Sequence, residues 1–123
     1  MPKRIALVGH CGPDASYLRM AVAGVFAGAQ IVAADEEAAL DRLIEEGVDL
    51  VLVNRQLDWG FDSDEGVETI RHLRQTHPTV RMMLISNYPE AQQAAVAAGA
   101  LPGFGKREIG TKRVTELLRE AVP

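Results

Sequence analysis

Asn54 ends the apolar run Val48-Asp49-Leu50-Val51-Leu52-Val53-Asn54, and its residue type limits what chemistry is available there. The run follows Gly47 and is rich in β-branched residues, so it reads as a strand buried on both faces. In open parallel sheets, ligands and reacting groups gather just past the carboxyl ends of such strands. An Asp at that place would serve as nucleophile or metal ligand, whereas the amide of Asn54 does neither with any force. Lys106 stands after another strand-like segment. A partly desolvated lysine there requires a partner. A loop carbonyl, water or Asp58 would supply one; a bound anion, or the carboxylate of another protein, is the sharper alternative.

His10 and Cys11 are adjacent in the breaker-rich loop Gly9-His10-Cys11-Gly12-Pro13-Asp14, which raises metal binding. A soft-metal site needs three or four ligands at workable spacing, and His72 and His77 lie on or after a distant helix, so no metal is expected. His10 is expected to hydrogen-bond Asn54 or a neighbouring loop, with a ring able to titrate near neutrality. The loop from Asp58 to Glu65 carries Asp58, Asp62, Asp64 and Glu65 together with Trp59 and Phe61. Its acids lack the alternate-residue pattern of a calcium loop. Two of the chain's six aromatic residues fall here, which leaves two readings. Either the aromatics tuck against the body below a solvated acidic loop, or they anchor a partner.

The elements that must position these residues alternate. Arg4–Val8 reads as a central strand, and Asp14 as the N-cap of a helix with Leu18, Val22, Val25 and Phe26 on its apolar face. Residues 30–34 form a weaker strand at an edge. Asp35 is placed to cap a helix with Leu40, Leu43 and Ile44 inward, and residues 48–54 follow as the third strand. Val67, Ile70 and Leu73 mark a third helix, residues 80–86 a fourth strand, and Glu90 to Ala98 a short alanine-rich helix. Residues 100–105 hold two Gly and one Pro, poor strand chemistry, yet the alternation requires an edge strand there. Thr111 then caps a last helix. Five βα units in series imply a parallel sheet with right-handed crossovers and helices on both faces.

The 123 residues suffice for one domain, residues 1–123, with a core of its own. The single cysteine excludes an internal disulfide and fits a reducing compartment. The start lacks the apolar stretch of a signal peptide, no run is long enough to cross a bilayer, and a cytoplasmic location without membrane attachment is expected. A formal charge of −4 argues against nucleic acid as a partner.

Taken together, the chain resembles the receiver domains of bacterial two-component response regulators, the CheY-like family. The resemblance runs the whole length. It rests on Val-Asp-Leu-Val-Leu-Val-Asn54, Glu-Gly-Val-Glu-Thr-Ile-Arg-His-Leu-Arg74, Met-Leu-Ile-Ser86-Asn, Ala-Ala-Gly-Ala100 and Gly-Phe-Gly-Lys106-Arg-Glu. It implies a flavodoxin-like, doubly wound five-stranded sheet of order 2-1-3-4-5. In that family two acids after the first strand hold Mg²⁺, an Asp ending the third strand accepts a phosphoryl group, and a hydroxyl and a lysine bind its oxygens. The chemistry needs them because a transferring phosphoryl group is strongly anionic.

Aligned without gaps, the acid pair falls on Gly9 and His10 and the phosphoacceptor on Asn54, while Ser86 and Lys106 match the hydroxyl and the lysine. The family's aromatic before that lysine falls on Gly103, and its following Pro on Arg107. The resemblance therefore implies a degenerate, or pseudo-receiver, domain: non-enzymatic, without a cofactor, and not switched by aspartyl phosphorylation. Its output would come from contact with signalling proteins, a histidine kinase or another regulator, with a homodimer through helix 4, strand 5 and helix 5 as a further option. Competing readings are residual phosphorylation at another acid such as Asp58, or a cysteine phosphocarrier. The latter would use Cys11 as nucleophile at a helix N-terminus, although the loop then places an acid where phosphate should sit.

Overall fold

The computed structural model describes residues 2–57, 60–61 and 63–123. Five strands, β1 (Arg4–Val8), β2 (Gln30–Ala34), β3 (Leu50–Asn54), β4 (Met82–Ile85) and β5 (Leu101–Phe104), form one sheet in the order β2-β1-β3-β4-β5. All neighbouring pairs are parallel, with Val8 opposite Val53 and Asn54 opposite Ile85. The helices between them are α1 (Gly12–Val25), α2 (Glu37–Glu46), α3 (Gly66–Thr76), α4 (Pro89–Ala97) and α5 (Lys112–Ala121). The alternation and the strand order are as the sequence and its resemblance led us to expect.

Side-chain alternation along the strands divides the core in two. Ile5, Leu7, Leu50, Leu52, Met83 and Ile85 meet Leu18 and Val22 of α1 and Val114 and Leu118 of α5. Ala6, Val8, Val51, Val53, Met82 and Leu84 face the other way, onto Leu40, Ile70, Leu73 and Ala95 of α2, α3 and α4. Burial on both faces explains why the central strands read as unbroken apolar runs.

The β3 and β4 strands are shorter than expected, beginning at Leu50 and Met82 rather than at 48 and 80. The helix caps also differ. Cys11, not Asp14, occupies the N-cap position of α1, and Asp14 lies in its first turn. Glu36, not Asp35, precedes α2, and the carbonyl of Gly60 accepts the Glu37 N–H at 3.2 Å. A loop from elsewhere in the fold thus satisfies a donor that a local side chain was expected to take. Thr111 holds the N-cap position of α5 without a side-chain capping bond.

The glycine-rich β5 does form an edge strand, with one extra residue. Met83 pairs with Leu101 and Ile85 with Phe104, so two steps on β4 oppose three on β5, a bulge at Pro102-Gly103. Gln92 of α4 holds it: its Nε2 donates to Leu84 O at 2.9 Å and Ser86 O at 3.1 Å, while its Oε1 accepts from Gly103 N at 3.2 Å.

Candidate functional site

The sequence places Gly9, His10, Asn54, Ser86 and Lys106 at the carboxyl ends of β1, β3, β4 and β5, and the fold gathers them there. Asn54, Ser86 and Lys106 line a crevice of about 130 Å³, shared with Arg55 and Tyr88. Asn54, Ser86 and Lys106 each have a partner within the chain. Asn54 Nδ2 donates to Gly9 O at 3.1 Å and to Gln56 O at 2.8 Å, spending both amide hydrogens on backbone carbonyls. Ser86 is 7 % exposed, and its hydroxyl oxygen accepts the Tyr88 N–H at 3.1 Å.

Lys106 pairs with an acid the sequence reading had assigned to a cap. Its Nζ lies 2.5 Å from Asp14 Oδ2, with the two side chains 34 % and 26 % exposed. The Lys106 ammonium, then a hydrogen bond from the Cys11 thiol, holds the Asp14 carboxyl below its usual range. The expected partners for Lys106 are a loop carbonyl, water or Asp58; Asp58 lies outside the described residues, and among those described the carboxylate in contact with Lys106 is that of Asp14. Position in the first turn of α1 further favours the negative charge. A signal for this existed in the sequence: Asp14 lies three residues past Cys11, next to the loop that carries Gly9 and His10.

Gly9 and His10 are each fixed by packing. Gly9 has φ +72°, and a Cβ added there would overlap Leu57 Cδ2. Leu57, which sequence reasoning passed over, is buried beside this strand end. His10 Nε2 donates to Leu52 O at 2.9 Å, not to Asn54, while its Nδ1 is buried with no hydrogen-bond partner among the described residues. Burial, reinforced by the charge on Lys106, lowers the His10 pKa despite the Leu52 bond. The ring is therefore neutral, with the proton on Nε2, at neutral pH.

These residues do not fit a hard divalent cation. Such an ion takes carboxylate and carbonyl oxygens. Here the strand end offers Gly9, a histidine bonded to Leu52, and an amide turned to carbonyls, while Asp14 is bound to Lys106. Among the described residues, no three His, Cys, Asp or Glu side chains assemble as a metal-ion group.

Of the acidic loop, Asp58, Trp59 and Asp62 lie outside the described residues. Phe61 is 8 % exposed and packs in the same core cluster as Leu57, so it is no exposed anchor. Asp64 is exposed at the base of the loop, where Leu57 N–H donates to Asp64 O at 2.8 Å and Gln56 bridges Glu65 in antiparallel fashion. Beyond β5, Glu108 organises the turn that presents Lys106: it accepts Gly105 N–H at 2.8 Å and pairs with Arg113 at 2.6 Å. At Gly103, where the family has an aromatic, even a Cβ would overlap Leu84 O.

No family model and no curated protein matches the sequence. Solved structures do match. The signal receiver domain of a DNA-binding response regulator from Colwellia psychrerythraea 34H aligns over 98 % of each chain, with TM-score 0.73 and 20 % identity. The receiver domain of NtrX from Brucella abortus aligns over 96 % of this chain and 97 % of its own, at 0.71 and 22 %. The chain has the receiver fold. An N-terminal receiver domain of a two-component response regulator from Bacteroides fragilis aligns at 0.77 and 16 %, over 100 % of this chain and 98 % of its own. At such identities the receiver fold is what these likenesses establish. Among the described residues, no helix is long and apolar enough to cross a membrane.

Proposed function

We propose that this receiver-fold chain is a pseudo-receiver: a signalling domain that acts by contact with other proteins and is not switched by aspartyl phosphorylation. The observation that carries this reading is the internal satisfaction of the crevice. The lysine that would meet a phosphoryl group is neutralised by Asp14, and the residue at the nucleophile's place is an amide donating to Gly9 and Gln56 carbonyls. An entering phosphoryl group would have to displace Asp14 and, among the described residues, would find no cluster of carboxylates to bring Mg²⁺ with it. With no reaction supported at the strand ends, output falls to the surface, through a kinase, another regulator or a second copy.

The phosphocarrier reading loses support from the same geometry. Cys11 stands exposed at the N-cap of α1, but its thiol hydrogen-bonds the Asp14 carboxylate, whose charge opposes a phosphate there.

Incubation with acetyl phosphate and Mg²⁺, followed by intact mass, tests the proposal, with beryllofluoride titration by NMR as the second arm. Unchanged mass and unchanged spectra are expected. A stable added phosphoryl group, on Asp58 or any other acid, would overturn it.

A further inference from the structure

Next to the crevice, and separated from it by Arg55 stacked on Tyr88 with 4.7 Å from guanidinium to ring centroid, lies a second, larger depression. This groove, about 580 Å³, runs between the base of the 55–66 loop, the start of α3 and the first turns of α4. That volume is within the range of about 300–1,000 Å³ typical of ligand sites. Val67, Ala91 and Ala94 give it apolar ground, and the alanines keep it open by their small size. The rest of the lining is charged in a lopsided way.

Asp64, Glu65, Glu68 and Glu90 oppose Arg55 and Arg71, four acids against two bases, a net of −2. Arg71 pairs with Glu68, while Arg55 stacks on Tyr88 and keeps its charge within the net −2. Asp64, Glu65 and Glu90 have no cation partner among the described residues. Their backbone is not loose. The Gln56–Glu65 bridge and the Leu57–Asp64 and Gly66–Arg55 hydrogen bonds, at 2.8 and 2.7 Å, pin one rim, and α4 carries Glu90 on the other. Tyr88 remains 52 % exposed at the end of the groove, one of few large apolar side chains left open among the described residues.

We infer that this groove seats a lysine- or arginine-bearing segment of a partner protein. Its cations pair with Asp64, Glu65 and Glu90, and its small aliphatic side chains lie on Val67, Ala91 and Ala94. The inference rests on the proposal that the domain works by protein contact, and it names the surface and the chemistry of the partner. Charge complementarity selects this occupant: an acidic or phosphorylated segment would meet a lining of net −2, with three carboxylates that have no cation partner among the described residues. Because Arg55, Gln56 and Tyr88 line both depressions, an occupant of the groove touches the wall of the strand-end crevice as well.

The experiment is an amide NMR titration of the whole chain with a short synthetic peptide of lysine, alanine and valine, against its glutamate-for-lysine counterpart. The lysine peptide is expected to move the signals of Val67, Ala91 and Ala94, and to bind more weakly as salt rises. The double reversal Glu65→Lys/Glu90→Lys, at two exposed positions, is expected to lose about tenfold in affinity and to favour the glutamate peptide. Should that variant fail to fold, Glu65→Gln/Glu90→Gln is expected to show an intermediate loss. Absent shifts, shifts outside the groove, or equal binding by the variants would overturn the inference. So would peptide-free, concentration-dependent shifts at these residues, which would assign the groove to a second copy. Any of these results together with an unchanged acetyl phosphate mass would leave the pseudo-receiver proposal standing; a phosphorylated product would fell that proposal whatever the groove binds.

Discussion

Gly9 and Leu57 form a steric unit at the end of β1. The positive φ of Gly9 disfavours any side chain, and Leu57 occupies the space a Cβ would need. Gly9→Ala should therefore cost about 2–4 kcal/mol, roughly 1–2 from the backbone and the remainder from overpacking. In a Leu57→Ala background the added cost should fall to the backbone share, which a double-mutant cycle in urea would show. Asn54→Asp puts a carboxylate oxygen against the Gly9 and Gln56 carbonyls in place of a donor. It should destabilise by about 1–3 kcal/mol, and acetyl phosphate should still leave the mass unchanged. A variant as stable as the parent would argue that those two bonds carry no weight.

Burial sets the pH behaviour of His10. Its folded pKa is lowered, so the unfolded chain takes up the proton first, from about pH 6.5 downward. Stability is full above that value and declines as pH falls through it toward the folded pKa. Asp14 has a lowered carboxyl pKa; its contribution is present above the ordinary carboxylate value and lost only in stronger acid. The urea midpoint should drop between about pH 7.5 and about pH 5.5 in the parent, and this limb should flatten in His10→Gln. An unchanged slope in the variant would assign the proton uptake elsewhere.

Among the elements, β5 depends on its neighbour more than on its own residues. With Pro102 and Gly103 at a bulge, it lacks intrinsic strand preference, and the Gln92 amide supplies the bonds that a regular ladder would. Gln92→Ala should cost about 1–3 kcal/mol by leaving buried carbonyl and N–H groups unpaired. Faster hydrogen exchange at Gly103 and Phe104 than in β3 should accompany it. The base of the 55–66 loop is closed by the Gln56–Glu65 bridge, and its Leu57 and Phe61 pack into the core cluster that holds Leu40, Ile70 and Leu73. Phe61→Ala should destabilise by about 3 kcal/mol, as core truncations do. Loss of partner binding with unchanged stability would instead make Phe61 a contact residue.

Across the whole molecule, the receiver fold keeps its architecture while the groups at its strand ends face one another. Asp14 reaches from α1 to the turn after β5, His10 from the loop after β1 to β3, and Gln92 from α4 to both β4 and β5. The cross-links tie together the end of the sheet where an open α/β fold would present a ligand, and the crevice of about 130 Å³ remains there. Unneutralised charge and an exposed aromatic ring are found one groove away, between the loop and α4.

The sequence by itself determined the alternation of strands and helices, the two-faced core and the residue types at the strand ends, because those are written in local periodicity and breakers. It also showed that Asn54, Gly9 and His10 bring no carboxylate to those ends. What only the tertiary structure decided was partnership. Asp14 reads locally as a cap, and its pairing with Lys106, 92 residues along the chain, exists only once α1 and the β5 turn are folded side by side. Leu57 and Phe61 read as loop residues, yet they are buried because they pack into the core cluster of Leu40, Ile70 and Leu73. Cavities and charge balance depend on such long-range placement, which no window of sequence encodes.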